Sequence, residues 1–566
     1  MHVKKIAALV AVACAGMSGA ALAAITDTTH KGYVDDAQTN GRVFFISGAS
    51  ATQKGFGGII DSLFEPGQFI RVANTTASSR DFEGVAGVLK STVTGWGGAK
   101  VIIIDRVKGG SVFGVNPVAR DFDSNGVAPN EGEKIQQMYV TAATCTGTGT
   151  AGTSANPYVC TLSSDATPLV DGRIPDAGIS DVAPKMFKNP LNTEGEPAVQ
   201  AAELSAQELA EFANADYNKP IYTLAFGVPI TNNTNPAMLN RAAVSAIMAG
   251  NVGTWDLVDS TLPADDVVVC RRVQGSGTQA VDNWFFGNYP CGESNTPADR
   301  ESSAAWIESI SNANYDVTKP KQLVGDYYVN GNSGGVVVIE NSTSGDVRNC
   351  LKAAAEATTA DKTYTTKDRS GAAVDVTFKA KAGGYRAIGV LSMDSLSSSN
   401  AASATGWSFR SMEGNGTLSC VGTAEVPAGP GPDGILGNAD DTPVVPATGC
   451  PYVTGPTAAG TGIHPTKENL MNGNWPLQGW VSWNVPIRTQ DDVVMNGAQN
   501  NVNKAELAKA FVAAAQDPAV LEAVLDTKYT AAALPAPFSS YSGAGVSKAA
   551  FANGDQCAPL NRNLAP

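Results

Sequence analysis

Along the chain, short runs of β-branched and aromatic residues alternate with stretches whose apolar residues recur at helical spacing. A brief apolar run bounded by Gly, Pro or Asn describes a strand with buried faces, and a three-to-four-residue recurrence describes a helix with one apolar side. Strands are predicted at Val43 to Ser47, Val101 to Asp105, Ile221 to Pro229, Val267 to Arg272, Val336 to Ile339 and Ala387 to Leu391. Two of them open directly into helices. Val43 to Ser47 passes through GASATQ to Phe56, Ile59, Ile60 and Leu63, and Val267 to Arg272 passes through VQGSGTQ to Val281, Trp284 and Phe285. Helical period returns in KAELAKAFVAAAQDPAVLEAVL, where Pro518 divides two helices. This alternation predicts an α/β fold, and the lack of any visible internal repeat argues against a solenoid or propeller.

Two stretches interrupt the pattern, roughly 117–170 and 405–480, both rich in Gly, Thr, Asn and Pro. They read as insertions closed by disulfides rather than as core. Cys14 apart, eight cysteines remain, none in a C-x-x-C spacing, and an even number in an exported chain points to disulfides. Cys145 with Cys160 and Cys420 with Cys450 are the expected local pairs, because each brackets a loop with no evident core of its own. The pairing of Cys270, Cys291, Cys350 and Cys557 is open.

Export is read from the first segment: Lys4 and Lys5, the apolar run IAALVAVACAGM, and Ala21-Leu22-Ala23 as an A-x-A cleavage site before Ala24. Residues 1–23 are the expected signal peptide and the product is expected in the periplasm or secreted. Cys14 follows Ala11-Val12-Ala13 rather than a Leu-led lipid box, which favours a soluble product over a lipoprotein. No later run is long enough to span a membrane.

Composition narrows the function. The 566 residues carry 39 Lys+Arg against 53 Asp+Glu, a net charge of -14, so no basic face for nucleic acid is expected. Charged residues make up 16% and hydrophobic ones 43%, which suits packed cores and is unlike disorder. The expected mature chain has only His30 and His464, and no HExxH, GxSxG or Walker P-loop occurs, so nothing positive supports an enzyme.

The strongest chemical signal is CRRVQGSGTQ, residues 270–279: a strand ending in two arginines, then a Gly-Ser-Gly-Thr turn opening a helix. Unpaired amides at a helix N-terminus favour an anion, glycines let the backbone approach it, and an arginine offers a planar fork. Alone, the motif describes a capped helix with a salt-bridged arginine equally well. GASATQ at 48–53 and RVKGGSVFG at 106–114 repeat the same grammar, and three such turns in one α/β chain are harder to dismiss.

VVVCRRVQGSGTQAVDNWF resembles the R-x-x-G-S-G-T segment of the periplasmic phosphate-binding proteins of ABC transporters, and GASAT resembles that family's N-terminal turn. DAGISDVAP is similar to the run whose Asp meets the anion, AAVSAIMAGNVGTWDLV to the helix and turn before the arginine strand, and NGNSGGVVVIE and YRAIGVLSMDSL to later segments in the family's order. The resemblance implies a two-lobed type II periplasmic-binding-protein fold with hinge strands near Ile221 to Pro229 and Ala387 to Leu391. Lobe I would hold 24–225 plus 391–566 with both insertions, and lobe II 226–390.

The same resemblance implies a site for phosphate or another tetrahedral oxyanion. Thr52 would give a hydroxyl and backbone N–H, Gln53 a backbone N–H, Ser111 a hydroxyl, and Arg272 a bidentate ion pair, while Ser276, Gly277 and Thr278 would form the helix-terminal cradle. Asp181 would accept a hydrogen bond from the proton that hydrogen phosphate keeps and sulfate lacks. The expected function is phosphate uptake with an ABC permease, by a monomer that needs no cofactor. The alternative is a secreted or surface interaction protein on the same scaffold, stiffened by calcium. Two residues depart from the family pattern: Gln274, where an acidic residue usually accompanies the arginine, and Gln53, where an aromatic is common.

Two acidic loops could offer oxygen ligands to calcium. GPDGILGNADDTP presents Asp433, Asn438, Asp440 and Asp441, against the simpler reading of a solvated turn. DFDSNGVAPNEGE begins like an EF-hand, but Gly132 stands where its last ligand belongs.

Overall fold

The computed structural model describes residues 23–49, 53–76, 80, 82–107, 110–119, 140–147, 151–161, 174–189, 191–192, 203–292, 327–329, 335–367, 372–395, 406–419, 457–491, 495–496, 500–501, 503–525, 531–534 and 546–562. The expected signal peptide (all but its last residue), the 420–450 cysteine pair and both calcium-like loops lie outside them.

The chain forms a mixed α/β fold around a large mixed sheet. In its first half, Val43–Gly48 lies between Lys100–Arg106 and Ala177–Ser180, parallel to both, with Phe45 opposite Ile104 and Ile46 opposite Ala177. Parallel strands covered on both faces lose the polar alternation, which is why VIIID reads as an unbroken apolar run. Outside Lys100–Arg106 come the antiparallel strands Phe82–Leu89 and Phe64–Ala73, neither of them expected. Glycine masks the pattern there: a side chain at Gly87 would collide with Phe69, and one at Gly84 would come within 2.8 Å of Val72.

The Cys145–Cys160 disulfide forms as expected, and its loop is more than an appendage. Cys145–Gly147 pairs with Tyr158–Cys160, and Tyr158 lies opposite Val72, so the hairpin extends the sheet edge. The described flanks of 405–480 likewise belong to the core. Trp407, Phe409, Trp475 and Leu477 are fully buried, and the short strands Trp407–Arg410, Thr417–Ser419 and Thr457–Ala459 pair in succession at the sheet.

In the second half, Val267–Arg272 lies between Val337–Asn341 and Arg386–Gly389, parallel to both. Cys270–Cys350 ties the arginine strand to the helix Ser344–Glu356, and Cys291–Cys557 joins segments 266 residues apart. One strand, Lys219–Thr231, serves both halves. Its first part pairs with Gln478–Asn484, and its last part with Arg386–Gly389 and Trp407–Arg410. Leu391 and Ser392 pair with Gly227 and Phe226, at the passage from one half to the other.

The helices Lys504–Gln516 and Pro518–Leu525 part at Pro518, whose ring and missing N–H end the ladder. Phe511 from the first stacks on buried Trp483 at 4.2 Å between centroids. Among the described residues, no helix is long and apolar enough to cross a membrane.

Candidate functional site

The described parts of the three glycine-rich turns converge where the two halves meet. The first is pinned to the strand that carries Asp181: Ala49 N–H donates to Ile179 O at 2.9 Å, and a side chain at Gly48 would run into that same carbonyl. Thr52 lies outside the described residues. Gln53 begins the helix Gln53–Asp61, where its backbone N–H is one of the amides that precede the hydrogen-bond ladder.

The second turn follows Lys100–Arg106 and closes into a short 3-10 helix, Ser111–Gly114. Gly110 enters it at φ 85, a conformation costly for any residue with a Cβ. Ser47 Oγ holds Phe113 O at 2.6 Å, and Val112 N–H donates to Gly275 O at 3.0 Å. The latter bond crosses directly to the third turn, in the other half.

The third turn follows the arginine strand. Ser276 caps the helix Gly277–Gly287 by position, but its side chain makes no capping hydrogen bond. The first intrahelical bond runs from Ala280 N–H to Ser276 O at 2.9 Å, so the amides of Gly277 and Thr278 precede the ladder. Gly277 is required by closeness. A Cβ there would overlap Ser111 Oγ and come within 2.6 Å of Asp181 Oδ2.

Asp181 directly follows Ala177–Ser180, and its N–H donates to Ser111 Oγ at 3.2 Å. It is only 2% exposed. Burial raises its carboxyl to about 7; Arg272 and the Ser111 hydroxyl pull it down and Asp394 pushes it up. Arg272, 3% exposed, is held from the neighbouring strand end: Nη1 donates to Ser344 Oγ at 2.9 Å and Nη2 to Ser342 O at 2.7 Å. Both oxygens anchor the guanidinium in place.

The structure thus brings Ser111, Asp181, Arg272, Ser276, Gly277 and Thr278 into one buried cluster. Two of its polar atoms, Asp181 Oδ1 and Thr278 Oγ1, are buried without a hydrogen-bond partner among the described residues. Sequence reasoning missed three members: Ser342, Ser344 and Asp394. The first two lie in a Ser-Thr-Ser-Gly turn after a buried strand, the grammar already noted elsewhere, and Asp394 is an acid in the otherwise neutral run GVLSMDSL. Among the described residues, no group of acidic, His or Cys side chains is arranged to hold a metal ion.

The chain matches no protein-family model and no curated protein. Among solved structures it is similar to a protein from Clostridium perfringens described as a phosphate ABC transporter substrate-binding protein, with bound phosphate. That match has 9% identity and a TM-score of 0.34, over 86% of this chain and 98% of the other. An ABC-type phosphate transport receptor from Vibrio cholerae matches at 9% identity and TM-score 0.27, over 63% of this chain and 80% of the other. A periplasmic phosphate-binding protein, PfluDING, bound with phosphate, matches at 14% identity and TM-score 0.26, over 82% and 89% respectively.

Proposed function

We propose that the protein binds inorganic phosphate, or a closely similar oxyanion that keeps a proton, between its two halves, and serves as an exported solute-binding protein for ABC-type phosphate uptake. The observation that carries this reading is the pair of buried atoms without partners, Asp181 Oδ1 and Thr278 Oγ1, beside the Arg272 guanidinium. Leaving a buried polar group unpaired costs about 1–3 kcal/mol each. Hydrogen phosphate would relieve both, its P–OH donating to Asp181 and an oxygen accepting from Thr278, while the helix amides and Arg272 balance its charge.

The halves would act as lobes, one carrying Ser111 and Asp181 and the other Arg272 and the 276–278 turn, hinged on Lys219–Thr231 and the 389–391 segment. Calorimetric titration of the processed protein with phosphate and sulfate tests the reading. Phosphate should bind at one site per chain and sulfate far more weakly; absence of phosphate binding overturns it.

A further inference from the structure

Beyond the site itself, the C-terminal hairpin Ala549–Phe551 and Leu560–Arg562 spans both halves. Toward the first half, Lys548 N–H donates to Met471 O at 2.5 Å, Arg562 Nη1 donates to Asn474 Oδ1 at 2.9 Å, and Asp555 forms an ion pair with Lys185. Toward the second, Cys557 is bonded to Cys291, four residues past the end of the arginine-turn helix Gly277–Gly287. Phe551 packs between the halves, 4.9 Å from the Trp480 ring and 5.3 Å from the Trp284 ring. With Leu534 and Ala550 it forms an apolar cluster separate from the main core.

We infer that this hairpin is a covalent strap that restrains the halves from opening over the site. A hinge needs the far edges of the cleft to separate, and here one edge, at Cys291, is bonded to a segment fixed to the other. Noncovalent contacts across the same edge, such as Asn283 Nδ2 to Asn192 Oδ1 at 2.7 Å, exchange freely. The disulfide does not. Among the disulfides of the described residues it is also the accessible one: Cys557 is exposed and Cys291 half-buried, whereas Cys145, Cys160, Cys270 and Cys350 are buried. A dithiol reductant would therefore reach it first, releasing two cysteine thiols and leaving as its own cyclic disulfide.

As a statement about anion exchange the strap rests on the proposed binding function, but its test does not need phosphate. The Val112 amide, bonded to Gly275 O across the cleft, reports opening by hydrogen exchange. In Cys291→Ser/Cys557→Ser without phosphate, its exchange should rise by roughly tenfold or more over the oxidised protein. Oxidised protein treated with limiting dithiothreitol, with Cys291 and Cys557 alone alkylated, should show the same rise and covers the case in which the double variant does not fold. Equal Val112 exchange in oxidised and selectively reduced protein overturns the strap. Release of bound inorganic phosphate should accelerate in parallel; failure of phosphate to bind, with the exchange difference intact, sinks the binding function and leaves the strap standing.

Discussion

Arg71 and Arg272 are equally withdrawn from water, at 5% and 3% exposed, yet their surroundings suit opposite roles. Arg71 lies under the helix Gln53–Asp61 among acids. It pairs with Asp61, has Glu83 at 3.8 Å, and feels Asp105 behind, while Arg80 holds Glu83 at 2.8 Å. Apart from Arg71 Nε, the atoms in that cluster without a partner among the described residues are carboxylate oxygens, Asp61 Oδ1 and Asp105 Oδ1. Burial lifts both of those carboxyls, Asp105 far above the ordinary range. Around Arg272 the anchors are a serine hydroxyl and a carbonyl; nearby are the Thr278 hydroxyl, amides that precede the helical ladder, and the acids Asp181 and Asp394. A buried arginine thus becomes an anion site through what accompanies it. Paired carboxylates close it to an oxyanion; hydroxyl and carbonyl anchors suit one.

The most severe break of this comparison is to truncate each arginine. Arg272→Ala should cost phosphate binding ~2–5 kcal/mol in calorimetry, because the anion loses its buried counter-charge. Arg71→Ala should instead cost ~3–5 kcal/mol of folding stability in denaturant titration, since it strands buried carboxylates, while the folded fraction keeps its phosphate affinity. If the two variants lose affinity alike, the contrast fails.

Asp181→Asn probes the acid that faces the 276–278 turn in the Arg272 site. An amide can donate to an anion without a proton, so sulfate should gain on phosphate in competition titrations. Stability without ligand gives a second readout. Burial places the folded pKa near 7, against ~3.9 for an unfolded Asp. The folded state therefore holds the extra proton between those values. Its contribution is fully present below about pH 4 and is lost as pH rises through about 7. The Asn variant escapes that loss, so its Tm should gain on wild type from pH 5 to pH 8. A pH-independent difference would show that Asp181 is not held in a desolvated state.

Gly277→Ala sharpens the geometric side. Its Cβ would press on Ser111 Oγ and Asp181 from across the cleft, so the halves must part slightly or the turn must shift. Overpacking of this kind costs ~1–3 kcal/mol, and here it should appear as weaker phosphate binding more than as a lower Tm, because the strain is relieved by opening. Loss of Tm with unchanged affinity would put Gly277 outside the site.

Much of this arrangement is legible in the sequence. The buried parallel strands announce themselves as unbroken apolar runs, and Val267–Arg272 has the bounds its sequence predicts. The turns are legible because glycine and hydroxyl residues recur at three strand-to-helix junctions, where one alone would read as a helix cap. The antiparallel pair Phe64–Ala73 and Phe82–Leu89 was not, since Phe69 packs over Gly87 and only tertiary contact shows why a glycine belongs in a strand. The anchors Ser342 and Ser344 escaped for a related reason: they act on Arg272 from 70 and 72 residues away, through a parallel pairing that local pattern does not encode. Trp407 and Trp475 sat in a stretch whose average composition resembled loop, although single large side chains decide burial.

The smallest expected effect tests the comparison most directly, because its two readouts move in opposite directions. Thr278 is 1% exposed and its hydroxyl has no partner among the described residues, so without ligand it is a cost to the fold. Replacing it with valine keeps the shape and removes the polar atom. If that hydroxyl served only the fold, Thr278→Val would be neutral for ligand and harmful to stability through a lost hydrogen bond. If it is held for an anion, the variant should melt slightly higher without ligand and bind phosphate more weakly by ~0.5–1.5 kcal/mol, the net worth of one hydrogen bond. Thermal melts with and without saturating phosphate read both quantities in one experiment, and the Tm curves of variant and wild type should cross as phosphate is added. A variant that melts lower in both conditions would mean that the Thr278 hydroxyl is structural, and the Arg272 cluster would then differ from the Arg71 cluster in degree rather than in kind.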